Sequence, residues 1–182
     1  MDRYARGENA AFDLLYREAA PRLYGFLIRL GGDASLAEDL LQEAFIRVHL
    51  ARGSFVAGAA ALPWMLAIAR NAFLDCARRQ RVRRDAFDND LRAPPEAAPE
   101  TRGDEALAGR EMLEVVRRTL NQLPLAQREA FVLLRFEGLS VRDAAHVLGA
   151  TEAAVKIRAF RAYTMLRGVL SEKGGRERCE GV

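Results

Sequence analysis

Cysteine is scarce in this chain. There are two, Cys76 and Cys179, more than a hundred residues apart, and such a pair excludes a disulfide framework and fits a reducing cytoplasm. Histidine is equally scarce. His49 and His146 have no ligand-spaced partners, so neither a metal centre nor a metal cofactor is expected. No apolar run approaches the ~18 residues of a membrane span. Met1-Asp2-Arg3-Tyr4 lacks the apolar core of a signal peptide, and the expected location is the cytoplasm. A charge of one sign is also missing: 28 basic against 25 acidic residues leave a net +3. That excess is too small to imply a polyanionic partner by itself, so the distribution of charge has to carry the argument. No segment reads as a strand. No nucleophile–base pair or phosphate-binding loop is present, which argues against an enzyme.

What is present is helical periodicity. Half of the 182 residues are hydrophobic, enough for a packed core. Phe12, Leu15, Tyr16, Leu23, Phe26, Leu27 and Leu30 recur at spacings of three and four, the pattern of an amphipathic helix. Pro21 is expected to kink or divide it, and Gly31-Gly32-Asp33 to stop it. A second helix is expected from Ser35, with Glu38 completing a capping box; Leu40, Leu41, Ala44, Phe45 and Val48 form its apolar face. Residues 52–62 read as a loop. Pro63 suits the first turn of a third helix, expected to run from Trp64 to about Arg79 and to bury Trp64, Leu66, Ile68 and Phe73.

The composition then changes. Arg78, Arg79, Arg81, Arg83 and Arg84 form a basic run, and 85–105 is acidic and carries Pro94, Pro95 and Pro99. A segment of that kind buries too little apolar surface to order itself. The expected organisation is therefore all-α: a helical domain over 1–84, a flexible acidic linker over 85–105, a second helical domain over 106–171 and a disordered tail over 172–182. In the second domain, Leu107, Met112, Leu113, Val116 and Leu120 give one helix. Pro124 opens another that Gly138 ends. Ser140 caps a short helix closing at Leu148-Gly149, and Thr151 caps the last.

The end of that domain has the spacing of a helix-turn-helix. Ala145 lets two helices approach, Gly149 permits a left-handed turn four residues on, and Val155 anchors the second helix six residues later. The second helix carries Thr151, Glu152, Ala154, Lys156, Arg158 and Arg161. Cations and a helix N-terminus suit phosphates, and Lys and Arg also read guanine edges in the major groove. In the first domain Arg70, Asn71, Arg78 and Arg79 share a helix side behind a loop containing Ser54 and Phe55. An aromatic in a basic loop is suited to holding an unstacked base, although a lone loop ring more often serves packing.

These strings resemble a known family. Ala37-Glu38-Asp39-Leu40-Leu41-Gln42-Glu43-Ala44-Phe45 is similar to the second-region core of bacterial sigma factors. Trp64 to Asn71, with Asp75 and Arg78-Arg79, resembles their promoter-melting helix. Leu123-Pro124, Arg128-Glu129, Glu137 to Ser140, Ala145, Leu148-Gly149, Val155-Lys156, Arg158 and Arg161 resemble their fourth region. The short length and bare linker point to the extracytoplasmic-function (ECF) group. The resemblance implies that Asp39, Leu40, Gln42, Glu43 and Phe45 dock on the β′ subunit of core RNA polymerase, with further contacts to β. It implies that Ser54, Phe55, Arg70, Asn71, Arg78 and Arg79 read and open a −10 element. Thr151, Glu152, Ala154, Lys156, Arg158 and Arg161 would read a −35 element, and the linker would thread through the polymerase. An anti-sigma factor that holds the protein inactive, at the membrane in some cases, is a further expected partner. A stand-alone helix-turn-helix regulator would need neither the docking motif nor the melting helix. At 157, 159, 160, 163 and 164 the sequence departs from the family's usual residues, so no known −35 sequence transfers to it.

Overall fold

The computed structural model describes residues 1–87 and 116–176. Most of the expected linker, 88–105, lies outside the described residues, as do Leu107, Met112 and Leu113 and the tail from 177. Every regular element among the described residues is helical. The chain divides into two compact units between Pro99 and Glu100, and each is taken by itself.

The first unit contains α1 (Asp2–Ala5), α2 (Ala11–Gly31), α3 (Ala34–Ala51), a 3₁₀ turn (Arg52–Ser54) and α4 (Ala61–Phe87). Helices α2, α3 and α4 pack on one another in all three pairings. Their shared core is Leu23, Phe26, Leu27, Leu30, Ala44, Val48, Met65, Leu66, Ala69 and Ala72, all essentially inaccessible to solvent. Pro21 sits inside α2 without dividing it; the helix continues because tertiary packing on both sides of the proline outweighs the one lost hydrogen bond. Gly32 ends α2 in the left-handed region at φ 76°, where a side chain would be strained. The cap of α3 is Asp33, not Ser35: its carboxylate accepts from the Leu36 backbone N–H at 2.7 Å. Two N-cap residue types lie within three positions, and the chain reversal at Gly32 selects the first of them.

Helix α4 is longer than expected at both ends. It begins at Ala61 and runs through the basic run to Phe87, three residues into the segment expected as linker. Its buried face is Met65, Leu66, Ala69, Ala72 and Phe73; Trp64 and Ile68 are only half-buried. From Ala77 to Arg83 every residue is exposed, so this stretch of α4 projects beyond the bundle as a basic rod.

The second unit contains α5 (residues 116–122 within the described range), α6 (Leu125–Arg135), α7 (Val141–Leu148) and α8 (Glu152–Arg176). Helix α8 covers 172–176, so the first five residues of the expected tail are helical. Leu120 and Leu123 pack on Ala162 and Leu166 of α8, with Val116 and Phe131 alongside. Arg128 fastens the α5–α6 corner. Its guanidinium donates to the Asn121 and Leu123 carbonyls at 2.7 and 3.2 Å, closing acceptors that the end of α5 leaves open. Burial lowers its pKa below the ordinary arginine value, partly offset by the Glu129 charge.

Candidate functional site

The helix-turn-helix is built from local rules that agree. Ser140 caps α7 through the Asp143 N–H at 3.0 Å. At the other end the Ala150 N–H reaches the Ala145 carbonyl at 3.0 Å and the Gly149 N–H reaches His146 at 3.2 Å. This pair of bonds is a Schellman closure with Gly149 at φ 57°, ψ 41°. Thr151 then caps α8, its hydroxyl accepting from Ala154 N at 3.2 Å. Ala144, Ala145, Val147 and Leu148 on α7 and Val155 on α8 are buried, which sets the two helices against each other.

Helix α8 thereby has a buried side, Val155, Ala162 and Leu166, and a free side. Thr151, Glu152, Lys156 and Arg161 lie on exposed positions. Ala154 and Arg158 are half-buried on the flank, because they share the turn of Val155 and Ala162. The exposed centre holds two residues that the charge pattern did not single out, Ile157 at 54 % and Phe160 at 70 % exposure. Their signal in the sequence was the departure from family usage at those positions.

On α3 the expected docking residues divide by helix face. Asp39 and Gln42 are exposed, and Glu43 is half-buried. Leu40 and Phe45 are buried and pack into the core, Phe45 with one side on a surface groove. Phe45 lies in an aromatic cluster, with ring centroids 4.7 Å from Tyr16 and 6.0 Å from Phe12. The exposed α3 side continues instead through Ile46 and Leu50, beside an open groove of about 410 Å³ walled by Tyr4, Phe12, Phe45 and His49.

Glu43 is held by Arg47, which donates to it at 2.8 Å and to Asp75 of α4 at 2.9 Å. Arg47 thus ties α3 to the basic helix, and both hydrogen bonds, that to Glu43 foremost, raise its pKa. The Arg47 hydrogen bond holds the Asp75 carboxyl below its ordinary value, against a smaller opposing effect of burial. The charges of Arg47, Arg78 and Arg79 act in the same direction as that bond. Arg78 lies 3.6 Å from Asp75.

The loop before α4 is pinned from several sides. Ser54 Oγ donates to the Ala51 carbonyl at 2.8 Å. Gly58 N donates to Asp2 of α1 at 3.2 Å. Arg52 donates to the His49 carbonyl at 2.8 Å and stands 5.9 Å over the Tyr4 ring, and the Tyr4 hydroxyl hydrogen-bonds His49 Nδ1. Phe55 is 8 % exposed and edge-on to Trp64, with centroids 5.3 Å apart. Phe55 is thus placed as a packing residue that anchors the loop, the commoner role of a lone loop ring. Ser54 and Val56 are the exposed neighbours. On α4, Asn71, Arg78 and Arg79 are exposed and Arg70 is half-buried.

Comparison with known proteins matches this architecture. Sigma-70 region 2 matches residues 15–83, and Sigma-70, region 4, matches 113–166. The chain is 39 % identical over 173 residues to the RNA polymerase sigma factor CarQ of Myxococcus xanthus, covering 94 % of this chain and 96 % of that protein. It is 33 % identical to the ECF RNA polymerase sigma factor SigM of Mycobacterium tuberculosis, covering 92 % and 81 %. Among solved structures it is similar to the sigma factor RpoE of Bartonella quintana, in complex with the anti-sigma factor NepR. That match has a TM-score of 0.75 and 28 % identity, covering 88 % and 96 % of the two chains. It is also similar to CnrH in complex with the cytosolic domain of CnrY, at a TM-score of 0.69 and 26 % identity, covering 94 % and 97 %. With both regions in order and relatives matched over nearly their whole length, the chain belongs to the ECF group of the sigma-70 family, RNA polymerase sigma factors that direct transcription initiation at promoters.

Proposed function

We propose a division of labour between the two units. The exposed side of α3, with Asp39, Gln42 and Glu43 followed by Ile46 and Leu50, docks on core RNA polymerase. The pinned loop at Ser54 and the basic rod of α4, through Arg70, Asn71, Arg78 and Arg79, hold the melted −10 strand. Cations along a rod suit a single-stranded phosphate backbone, and a rigid loop beside it suits an extruded base. The free side of α8, with Thr151, Glu152, Lys156 and Arg161, enters the major groove of the −35 duplex, and Ala154 and Arg158 contact its edge. Core polymerase fixes the separation of two modest DNA sites, so the free protein binds promoters weakly and the holoenzyme strongly. The protein works in the cytoplasm as a regulatory subunit and not as an enzyme in its own right. The complexes of the two similar structures support an anti-sigma factor as a further partner.

The observation that carries this reading is the exposure of Lys156 and Arg161 on a helix whose opposite side is locked into a helix-turn-helix. Run-off transcription with core polymerase on a promoter library tests it. Lys156→Ala with Arg161→Ala is expected to abolish binding of the upstream element while leaving core binding intact. Equal loss of core binding would refute the assignment. Holoenzyme affinity should also fall steeply with salt, since each phosphate contact releases counterions.

A further inference from the structure

The two most exposed large hydrophobic side chains on the helix assigned to the −35 duplex are Phe160 and Ile157. Ile157 is 54 % exposed and Phe160 is 70 % exposed. They are three residues apart and so neighbours on the helix surface. With ~100° of turn per residue, the order around the exposed face is Lys156, Phe160, Ile157, Arg161. An apolar stripe therefore occupies the centre of the face, and one exposed cation stands on each side of it. Val155, Ala162 and Leu166 are buried on the opposite side.

A helix lying in a major groove meets two kinds of surface. Its flanks face the phosphate walls and its centre faces the base edges on the floor. The cations of this helix are on the flanks, and the Ile157 and Phe160 side chains between them can neither donate nor accept a hydrogen bond. Pressing Ile and Phe against the polar edges of guanine, adenine or cytosine strips those groups of water without replacing it. Thymine is the one base that offers an apolar group there, its 5-methyl. We propose that Ile157 and Phe160 are specificity-determining residues that read thymine methyl groups in the upstream element, with Lys156 and Arg161 holding the phosphates on either side. The inference rests on the reading of α8 as the −35 helix. A protein-docking role for Phe160 is less well supported. Phe160 rims a groove of about 360 Å³ with Phe131, Leu139 and Tyr163, but Ile157 lies outside that groove.

The test uses holoenzyme and an upstream element selected from randomised duplexes. Each thymine of that element is then replaced by deoxyuridine, which removes the methyl and leaves the hydrogen-bonding edge unchanged. Loss of one buried methyl is expected to weaken binding about four-fold at one or two positions. The sensitivity should vanish in Phe160→Ala with Ile157→Ala, a variant that keeps its fold because both side chains are exposed. Equal binding of thymine and uracil duplexes by the unaltered holoenzyme would overturn the proposal alone, provided Lys156→Ala with Arg161→Ala still abolishes binding of the upstream element. If no upstream duplex is selected at all, the −35 reading fails and takes the proposal with it. Loss of core binding in the Phe160 variant would also overturn it, in favour of a protein contact.

Discussion

Substituting Gly149 isolates a single energetic effect. Gly149 closes α7 at φ 57° and is exposed. A Cβ built there meets nothing within 4 Å, so the cost of a side chain is the backbone cost alone. Placing an L-residue in the left-handed region costs roughly 1–2 kcal/mol. Against this, Gly→Ala restricts the unfolded chain and returns about 0.4–1 kcal/mol. Gly149→Ala should therefore destabilise the second unit by about 1 kcal/mol. Gly149→Asn should cost only a few tenths, because Asn tolerates this conformation, and Gly149→Val should cost about 2 kcal/mol because a β-branched residue fits it worst. Urea unfolding followed by far-ultraviolet circular dichroism measures the series. The chain's single tryptophan, Trp64, lies in the first unit, so its fluorescence transition should not move and serves as an internal control. A flat series, or Asn as damaging as Val, would refute the claim that backbone conformation alone sets the cost.

Three further outcomes are expected. Phe55→Ala removes a buried ring and its edge-on contact with Trp64, a loss of about 3 kcal/mol. It should weaken promoter opening, read by permanganate reactivity at the −10 element, more than it weakens core binding. An unaltered opening and an unaltered Trp64 transition would show that the ring is idle. Asp75 has a depressed pKa, so its stabilising contribution is complete above the ordinary carboxyl value of 3.8 and is lost as pH falls through the lower folded value. The difference in urea midpoint between the protein and Asp75→Asn should be constant from pH 7 to about 5 and close below 3.8; a difference that persists at pH 2 would contradict the Arg47 bridge. Arg47→Ala should remove the same acid dependence, since Arg47 is the principal cause of the shift. It should also free Glu43, detectable as altered affinity for core polymerase.

The sequence by itself determined the class of fold, the division into two helical domains and several helix ends, both ends of α7 among them, because these depend on neighbours in the chain. Ser140, Gly149 and Thr151 act through hydrogen bonds within five residues. The core of α2 follows from spacings of three and four. Choosing between Ser35 and Asp33 as the cap of α3 was already beyond it, since both are competent and the turn at Gly32 decides. Tertiary structure alone decided which side chains remain available for partners. The spacing already put Leu40 and Phe45 on the apolar face of α3, but that Ile46 and Leu50 stay outside follows only from how α2 and α4 pack against it. For Phe55 the sequence left both packing and base-holding open, and the structure packs it edge-on against Trp64. Tyr4 gave no signal at the N-terminus, and it is buried because His49, Arg52 and Phe12 close over it. The Arg47–Asp75 bridge spans 28 residues, beyond any local pattern. Local rules place the backbone; burial, which is set by what packs from elsewhere in the chain, decides which of its side chains can face polymerase or DNA.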